Sequence, residues 1–246
     1  MPQGRPAADS FSPVSAGLIE TTTNLLGAPP AFWGRYFTSV AAGGGAEFRR
    51  AAENQMLNAA GIRVLPVARQ TQNVSGSAAQ GTADGAANAR DFIVTFGLSL
   101  LAAQGGNFYI FLDVEGDPSL STDYYTGWVQ GLAAEAQALS SGSVTMLPCL
   151  YASQADATTW SALGAAISAG APCHGAWIAR YPAGDGSMIE WSDTVVTPVL
   201  PSPFPVPILA WQYAGNCLNG QIDCSQTNPG IDAESQLLKY LVLPPG

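Results

Sequence analysis

Residues 107–116 read NFYIFLDVEG, a run of aromatic and aliphatic residues that ends in two acids spaced two apart, Asp113 and Glu115. Such an apolar run has the length and composition of a buried strand. Side chains alternate along a strand, so Ile110, Leu112 and Val114 form one face, and Tyr109, Phe111, Asp113 and Glu115 the other. The aliphatic face suits packing beneath a layer of helices. The second face turns from aromatic to acidic toward the strand's C-terminal end, the end at which parallel barrels build their sites.

Outward from this strand, the chain alternates strand and helix patterns. SAGLIE (15–20) is a short apolar segment counted as the first strand, followed by FWGRYF (32–37) and IRVLPVA (62–68). SVTMLPCLYAS (143–153), GAWIARYP (175–182), PILAWQY (207–213) and a very short GQIDCS (220–225) complete eight strands with 107–115. Helical stripes with capping residues are predicted over 46–61, within 79–103, and over 121–139, 156–170 and 232–241. Residues 183–206 are Pro-rich and irregular. Eight such units in about 250 residues are the proportions of a (β/α)8 TIM-type barrel. The expected barrel is modified, with a short last strand and no regular helix after the first, sixth and seventh strands. The competing architecture, a doubly wound open sheet, lacks the glycine-rich phosphate loop that usually accompanies it. Residues 1–14 are expected to be a flexible arm and residues 15–246 a single domain.

The chain has 246 residues, 47% of them apolar and 11% charged, and a net charge of −9. The negative charge argues against nucleic acid and anionic membranes as partners. No apolar run reaches the length of a membrane span, and MPQGRPAADSFSP lacks the apolar core of a signal peptide. A mature secreted or cell-envelope chain would look like this, and so would a cytosolic one. A monomer is expected. Cys149, Cys173, Cys217 and Cys224 have no metal-binding spacing, and His174 does not complete a zinc site, so neither metal nor cofactor is expected. Cys217 and Cys224 bracket the turn-rich LNGQID. Pairing 217–224 with 149–173 is favoured over the other two pairings and over four free thiols.

Two carboxylates at neighbouring same-face positions have Cα atoms about 6.5–7 Å apart, given a strand rise of about 3.3 Å per residue. Their oxygens then fall within or near the roughly 5–9.5 Å of paired acids in glycoside hydrolysis. Repulsion and burial would raise one of the two, leaving a proton donor beside an ionised partner. The plainer reading has these acids capping a helix or bound to Arg35, Arg69 or Arg180, which for two acids at one strand end demands strong compensation.

Several strand ends, in order, resemble those of glycoside hydrolase family 25, the lysozyme-type muramidases. The similarity is greater still to the related glycoside-hydrolase-like domain of unknown function (the DUF1906 type) of actinobacterial envelope proteins. The stretches that carry it are GRYF (34–37), GIRVLPVA (61–68) with QGTADGAANA (80–89), FLDVEG (111–116), LYAS (150–153), AWIARYP (176–182), AWQYAG (210–215) and IDCSQ (222–226). The resemblance implies Glu115 as proton donor, Asp113 as the acid that stabilises or orients the reacting sugar, and Asp223 as the acid of the last strand. It implies sugar contacts at Trp177, Tyr181, Trp211 and Tyr213, with Tyr151 at the end of its strand beside them. Gln212 reads as a cleft residue because a buried amide needs partners. Arg35 reads as a counter-ion of the acids or a substrate ligand.

Two departures stand out. The acid that the muramidases carry in a G-x-D on their first strand is replaced by GLIETTT, so Glu20 substitutes or the role is vacant. Their aromatic–His pair after the third strand is replaced by ARQ (68–70). The expectation is a hydrolase of N-acetylated glycan such as peptidoglycan. A barrel that binds envelope glycan without efficient cleavage, and an enzyme on another polymer such as an α-glucan, are the alternatives.

Overall fold

The computed structural model describes residues 3–37, 51–69, 73–182 and 184–246. The strands β1 (Pro6–Asp9), β2 (Phe32–Phe37), β3 (Arg63–Arg69), β4 (Asn107–Val114), β5 (Thr145–Ser153), β6 (Ala176–Ala179), β7 (Ile208–Asn216) and β8 (Ile222–Thr227) close into one barrel in chain order. Neighbours from β1 to β7 are parallel, whereas β8 is antiparallel to both β7 and β1. The architecture is therefore an α/β barrel with one reversed strand, and not a regular (β/α)8 repeat. The cause lies in the connection: only the turn Cys217–Gly220 and Gln221 separate β7 from β8. A parallel return needs a crossover of about a dozen residues or more.

The first strand is not where the sequence pattern put it. SAGLIE opens helix α1 (Ala16–Leu26), whose buried stripe Leu18, Thr22 and Leu26 repeats every four residues. Ser15 caps it by accepting from the Leu18 N–H, and Gly27 ends it at φ 75°. The real first strand is the tetrapeptide PAAD, inside the segment expected to be a flexible arm. Its order comes from pairing on both sides, with β2 through Ala8↔Trp33 and with β8 through Asp9↔Asp223.

The remaining helices are α2 (Ala51–Ala59), α3 (Ala78–Phe96), α4 (Leu98–Ala103), α5 (Thr122–Ser140) and α6 (Ala157–Ser168). Residues 46–50 of the expected 46–61 helix lie outside the described residues. Among the described residues between β6 and β7 the chain is irregular save for one helical turn, Asp193–Val196. The helix expected over 232–241 is broken into Ala233–Gln236 and a 3-10 turn, Leu238–Tyr240. There Leu237, Leu238 and Leu241 turn in to seal the barrel floor, and Val242 bridges to Val64. Helices α3 and α5 meet backbone to backbone: a Cβ on Gly85 would stand 2.1 Å from the Trp128 carbonyl oxygen, and one on Gly127 1.9 Å from that of Ala78. Glycine is required at both.

Two layers of core follow from the strand alternation. Inside the barrel lie Phe32, Leu65, Val67, Tyr109, Phe111, Tyr151 and Trp177. Ile110, Leu112 and Val114 pack outward against the helices, as the alternation in NFYIFLDVEG predicts. All four cysteines are free thiols, so neither expected bridge is formed. Each pair is adjacent, but Cys149 and Cys173 direct their Sγ–H to the carbonyls of Leu147 and Gly175 (3.8 and 3.5 Å). Cys217 and Cys224 share a hydrogen bond. No helix among the described residues is long and apolar enough to cross a membrane.

Candidate active site

Alternation on β4 sends Asp113 into the barrel mouth, where it is buried, and carries Glu115 on the same side, one step beyond the strand. From β1 comes Asp9, also buried, directly opposite Asp223 of β8. Four carboxyl groups thus converge on one end of the barrel. Gly34 of β2 makes room for them, since a Cβ there would stand 2.6 Å from that of Asp9 and 3.3 Å from the Trp177 ring.

Gln212 of β7 binds this cluster together. Its Nε2 donates to Asp9 Oδ1 (2.9 Å) and Asp223 Oδ2 (3.4 Å), and its Oε1 accepts from the hydroxyls of Tyr151 (2.5 Å) and Tyr181 (2.6 Å). The Tyr151 hydroxyl also lies 3.2 Å from Glu115 Oε1. The Asn216 N–H, set by the left-handed backbone of that residue (φ 57°), donates to Asp223 Oδ1 at 2.6 Å. On the far wall the Arg69 guanidinium of β3 stacks over Phe11 and Tyr36, 4.8 and 5.6 Å from their ring centres.

Desolvation raises Asp9, Asp223 and Glu115. Asp9 is pushed up by burial first and then by the Asp223 charge, against the Gln212 hydrogen bond. Asp223 is raised by burial, partly offset by the Asn216 N–H. Glu115, exposed at the mouth, is nonetheless raised by desolvation, opposed first by the Tyr151 hydroxyl where that hydroxyl donates to the carboxylate and then by the Arg69 guanidinium, with the Asp223 charge adding to the rise. A cluster of this kind holds fewer negative charges than it has carboxyl groups.

The mouth holds two adjoining cavities. One, of about 380 Å³, is lined by Glu115, Tyr151, Ser153, Arg180 and Tyr181 among others. The second, of about 230 Å³, is lined by Asp9, Phe11, Tyr36, Arg69, Glu115 and Asp223 among others. Glu115 belongs to both and stands between them. Among the described residues no group of three or more His, Cys, Asp or Glu side chains is disposed to hold a metal ion.

The expected site residues divide accordingly. Asp113, Glu115, Asp223, Tyr151, Tyr181 and Gln212 come together at the mouth. Trp177 is at the site but beneath it, fully buried against Tyr151 with ring centres 4.5 Å apart and its indole N–H on Ser225. Trp211 and Tyr213 point the other way: strand alternation puts them outward, Trp211 packed on Trp191 and bonded to the Arg180 carbonyl, Tyr213 bonded to that of Gly186. Neither can touch a ligand in the mouth. Arg35 also points outward from β2, where it forms a buried ion pair with Glu53 of α2. That places its guanidinium on the outer side of the barrel, paired with Glu53 and turned away from the acid cluster.

Glu20 is exposed on α1. The acid on the first strand is Asp9, which sequence reasoning missed because PAAD carries no strand signal. Its cue was a lone acid a few residues ahead of a capped helix, where a β-α unit would put one. Of ARQ, Arg69 is the cation of the far wall, and Gln70 lies outside the described residues.

No family model and no curated protein matches the sequence. Solved structures do match the fold. An uncharacterized protein of B. stearothermophilus superposes with a TM-score of 0.63 at 20% identity, over 97% of this chain and 100% of that one. The catalytic domain of endolysin ply40, from bacteriophage P40 of Listeria monocytogenes, gives 0.57 at 14% identity over 98% and 99%. The spore cortex lytic enzyme SleM of Clostridium perfringens gives 0.53 at 16% identity, over 95% of this chain and 70% of that one. The likeness is one of fold.

Proposed function

We propose that this barrel is a glycoside hydrolase of N-acetylated, cell-wall-type glycan such as peptidoglycan. Glu115 is the general acid that protonates the leaving oxygen, and Asp113 is the carboxylate that stabilises positive charge at the anomeric centre or steers a 2-acetamido group toward it. The observation that carries the reading is the position of Glu115. It is a raised carboxyl on the ridge between two cavities, so a chain of sugars laid across the mouth would present a glycosidic oxygen to it. Asp9 and Asp223 tune its proton from the opposite wall, and Tyr181, half exposed, offers a ring face to a sugar. The fold shared with an endolysin domain and a cortex-lytic enzyme supports the same substrate class. A secreted or envelope location and a monomeric chain accord with it, and the chemistry calls for no cofactor.

A barrel that binds glycan without cutting it was favoured in the sequence by a vacant first-strand acid and by the missing His after the third strand. Asp9 weakens the first of these grounds and leaves the second standing. The test is release of dye-labelled fragments from purified peptidoglycan by the wild type and by Glu115→Gln. Release by the wild type with a loss of about 10²-fold or more in the variant is expected. Equal release by both removes Glu115 as the acid, and retention of both proteins on the polymer without release favours the binding barrel.

A further inference from the structure

The hydrogen atoms of the Gln212 network can be counted, and the count assigns a direction that the distances alone leave open. We propose that Tyr151 accepts, and does not donate, the hydrogen bond it shares with Glu115, and that Gln212 is the positioning residue that fixes this direction.

The Gln212 amide is buried and has partners on both sides. Its amine end faces oxygens of Asp9 and Asp223, and its carbonyl faces two tyrosine hydroxyls. Turned over, the carbonyl would confront two carboxylate oxygens, so the amide is held as it stands by the ionised fraction of those acids. A carbonyl has no hydrogen to give, so both tyrosines must donate into it. Each phenol has a single hydrogen. That of Tyr151 goes to Gln212 at 2.5 Å in preference to Glu115 at 3.2 Å. That of Tyr181 goes to Gln212 at 2.6 Å in preference to Tyr151 at 3.4 Å. What Tyr151 turns toward Glu115 is a lone pair.

The Tyr151–Glu115 contact is then a hydrogen bond only while Glu115 carries its proton. Were Tyr151 to donate instead, it would favour the ionised carboxylate and strip the Gln212 carbonyl of its shortest partner. The described titratable and charged groups around Glu115 are Asp9 on β1, Tyr36 on β2, Arg69 on β3, Asp113 on β4, Tyr151 on β5, Arg180 and Tyr181 after β6, and Asp223 on β8. Of the two cations, Arg69 and Arg180, it is Arg69 whose charge favours the ionised form. The network divides the labour among three acids: charge on the Asp9–Asp223 wall, transmitted through one amide and one phenol, keeps the proton on Glu115. The catalytic meaning of this arrangement rests on Glu115 being the general acid, but the bond direction does not.

The test is a titration without substrate. The full chain, labelled with ¹³C at the glutamate side-chain carboxyl, is followed by NMR, and the Glu115 signal is assigned by its loss in Glu115→Gln. Tyr151→Phe removes the acceptor, and Gln212→Met frees Tyr151 to turn its hydrogen to Glu115. Both should make Glu115 a stronger acid, by about one pKa unit or tenfold in proton affinity. Tyr181→Phe, which leaves the Tyr151–Gln212 bond in place, should shift it by much less. In the fragment-release assay the alkaline limb should move to lower pH in the first two variants by the same amount as the titration. A higher or unchanged Glu115 midpoint in Tyr151→Phe overturns the assigned direction, and if that variant fails to fold, Gln212→Met decides by the same sign. Full release by Glu115→Gln would overturn the catalytic reading and leave the titration result standing.

Discussion

Removing Arg35 should destabilise the chain out of proportion to the loss of one side chain. Arg35 and Glu53 are both almost fully buried, joined by Nε–Oε1 and Nη2–Oε2 contacts of 2.5 and 2.9 Å. The guanidinium also donates to the carbonyls of Ser10 and Ser12 (2.7 and 3.2 Å), and Glu53 accepts from the Val14 N–H at 2.9 Å. The pair therefore ties segment 10–14, which leads away from Asp9, to β2 and α2. Arg35→Met leaves the Glu53 carboxylate inside the protein without its guanidinium, a change that costs about 3–5 kcal/mol when one partner of a buried pair is deleted. For a chain of this size each kcal/mol lowers Tm by about 2–4 °C, so a fall on the order of 10 °C is expected. Arg35→Met combined with Glu53→Gln removes that buried charge as well and keeps an acceptor for Val14. The double variant should recover most of the loss, with a coupling of about 2 kcal/mol or more between the two positions. Thermal and urea unfolding followed by far-ultraviolet circular dichroism measure all four corners of the cycle. A single variant that melts within about 2 °C of the wild type would refute the reasoning. So would a double variant no more stable than the single.

Asp9→Asn should reduce glycan release by about 10²-fold with the fold intact, whereas Glu20→Gln on exposed α1 should leave release unchanged. The opposite outcome would return the first-strand role to Glu20. Because Asp9, Glu115 and Asp223 are all raised in the folded chain, the folded state binds more protons than the unfolded state between the ordinary carboxylate range and their raised values. Stability should therefore grow as pH falls from neutrality into that window and be lost as pH rises through it. Urea midpoints at a series of pH values check the sign, and Asp9→Asn should flatten the slope. Gly127→Ala, whose methyl would stand 1.9 Å from a carbonyl oxygen, should cost about 3 kcal/mol or more in urea unfolding, at or beyond the usual overpacking range. Gly17→Ala, open on exposed α1, should be neutral or stabilising by about 0.5 kcal/mol.

The sequence by itself determined the inner and outer faces of β4, and with them the placing of Asp113 and Glu115, because strand alternation is local and a fully apolar outer face leaves a single assignment. Seven of the eight barrel strands, β2 to β8, were legible in the same way, while the first was counted at SAGLIE, which opens helix α1. The reversal of β8 was not part of that expectation, although the few residues between AWQY and IDCS leave no room for a crossover. Other features depended on partners distant in the chain. PAAD has neither the length nor the side chains of a strand and becomes one because closure of the barrel supplies hydrogen-bonding neighbours on both edges. On β2 aromatic residues occupy both faces, and on β7 the aromatic pair Trp211 and Tyr213 could as well have lined a cleft as a core, so alternation could not say which set points inward. Only the packing of Trp211 on Trp191, and of Arg35 on Glu53, turned those side chains away from the mouth. The bond direction at Glu115 lies furthest from the sequence, for it is set by one amide whose four partners come from four different elements.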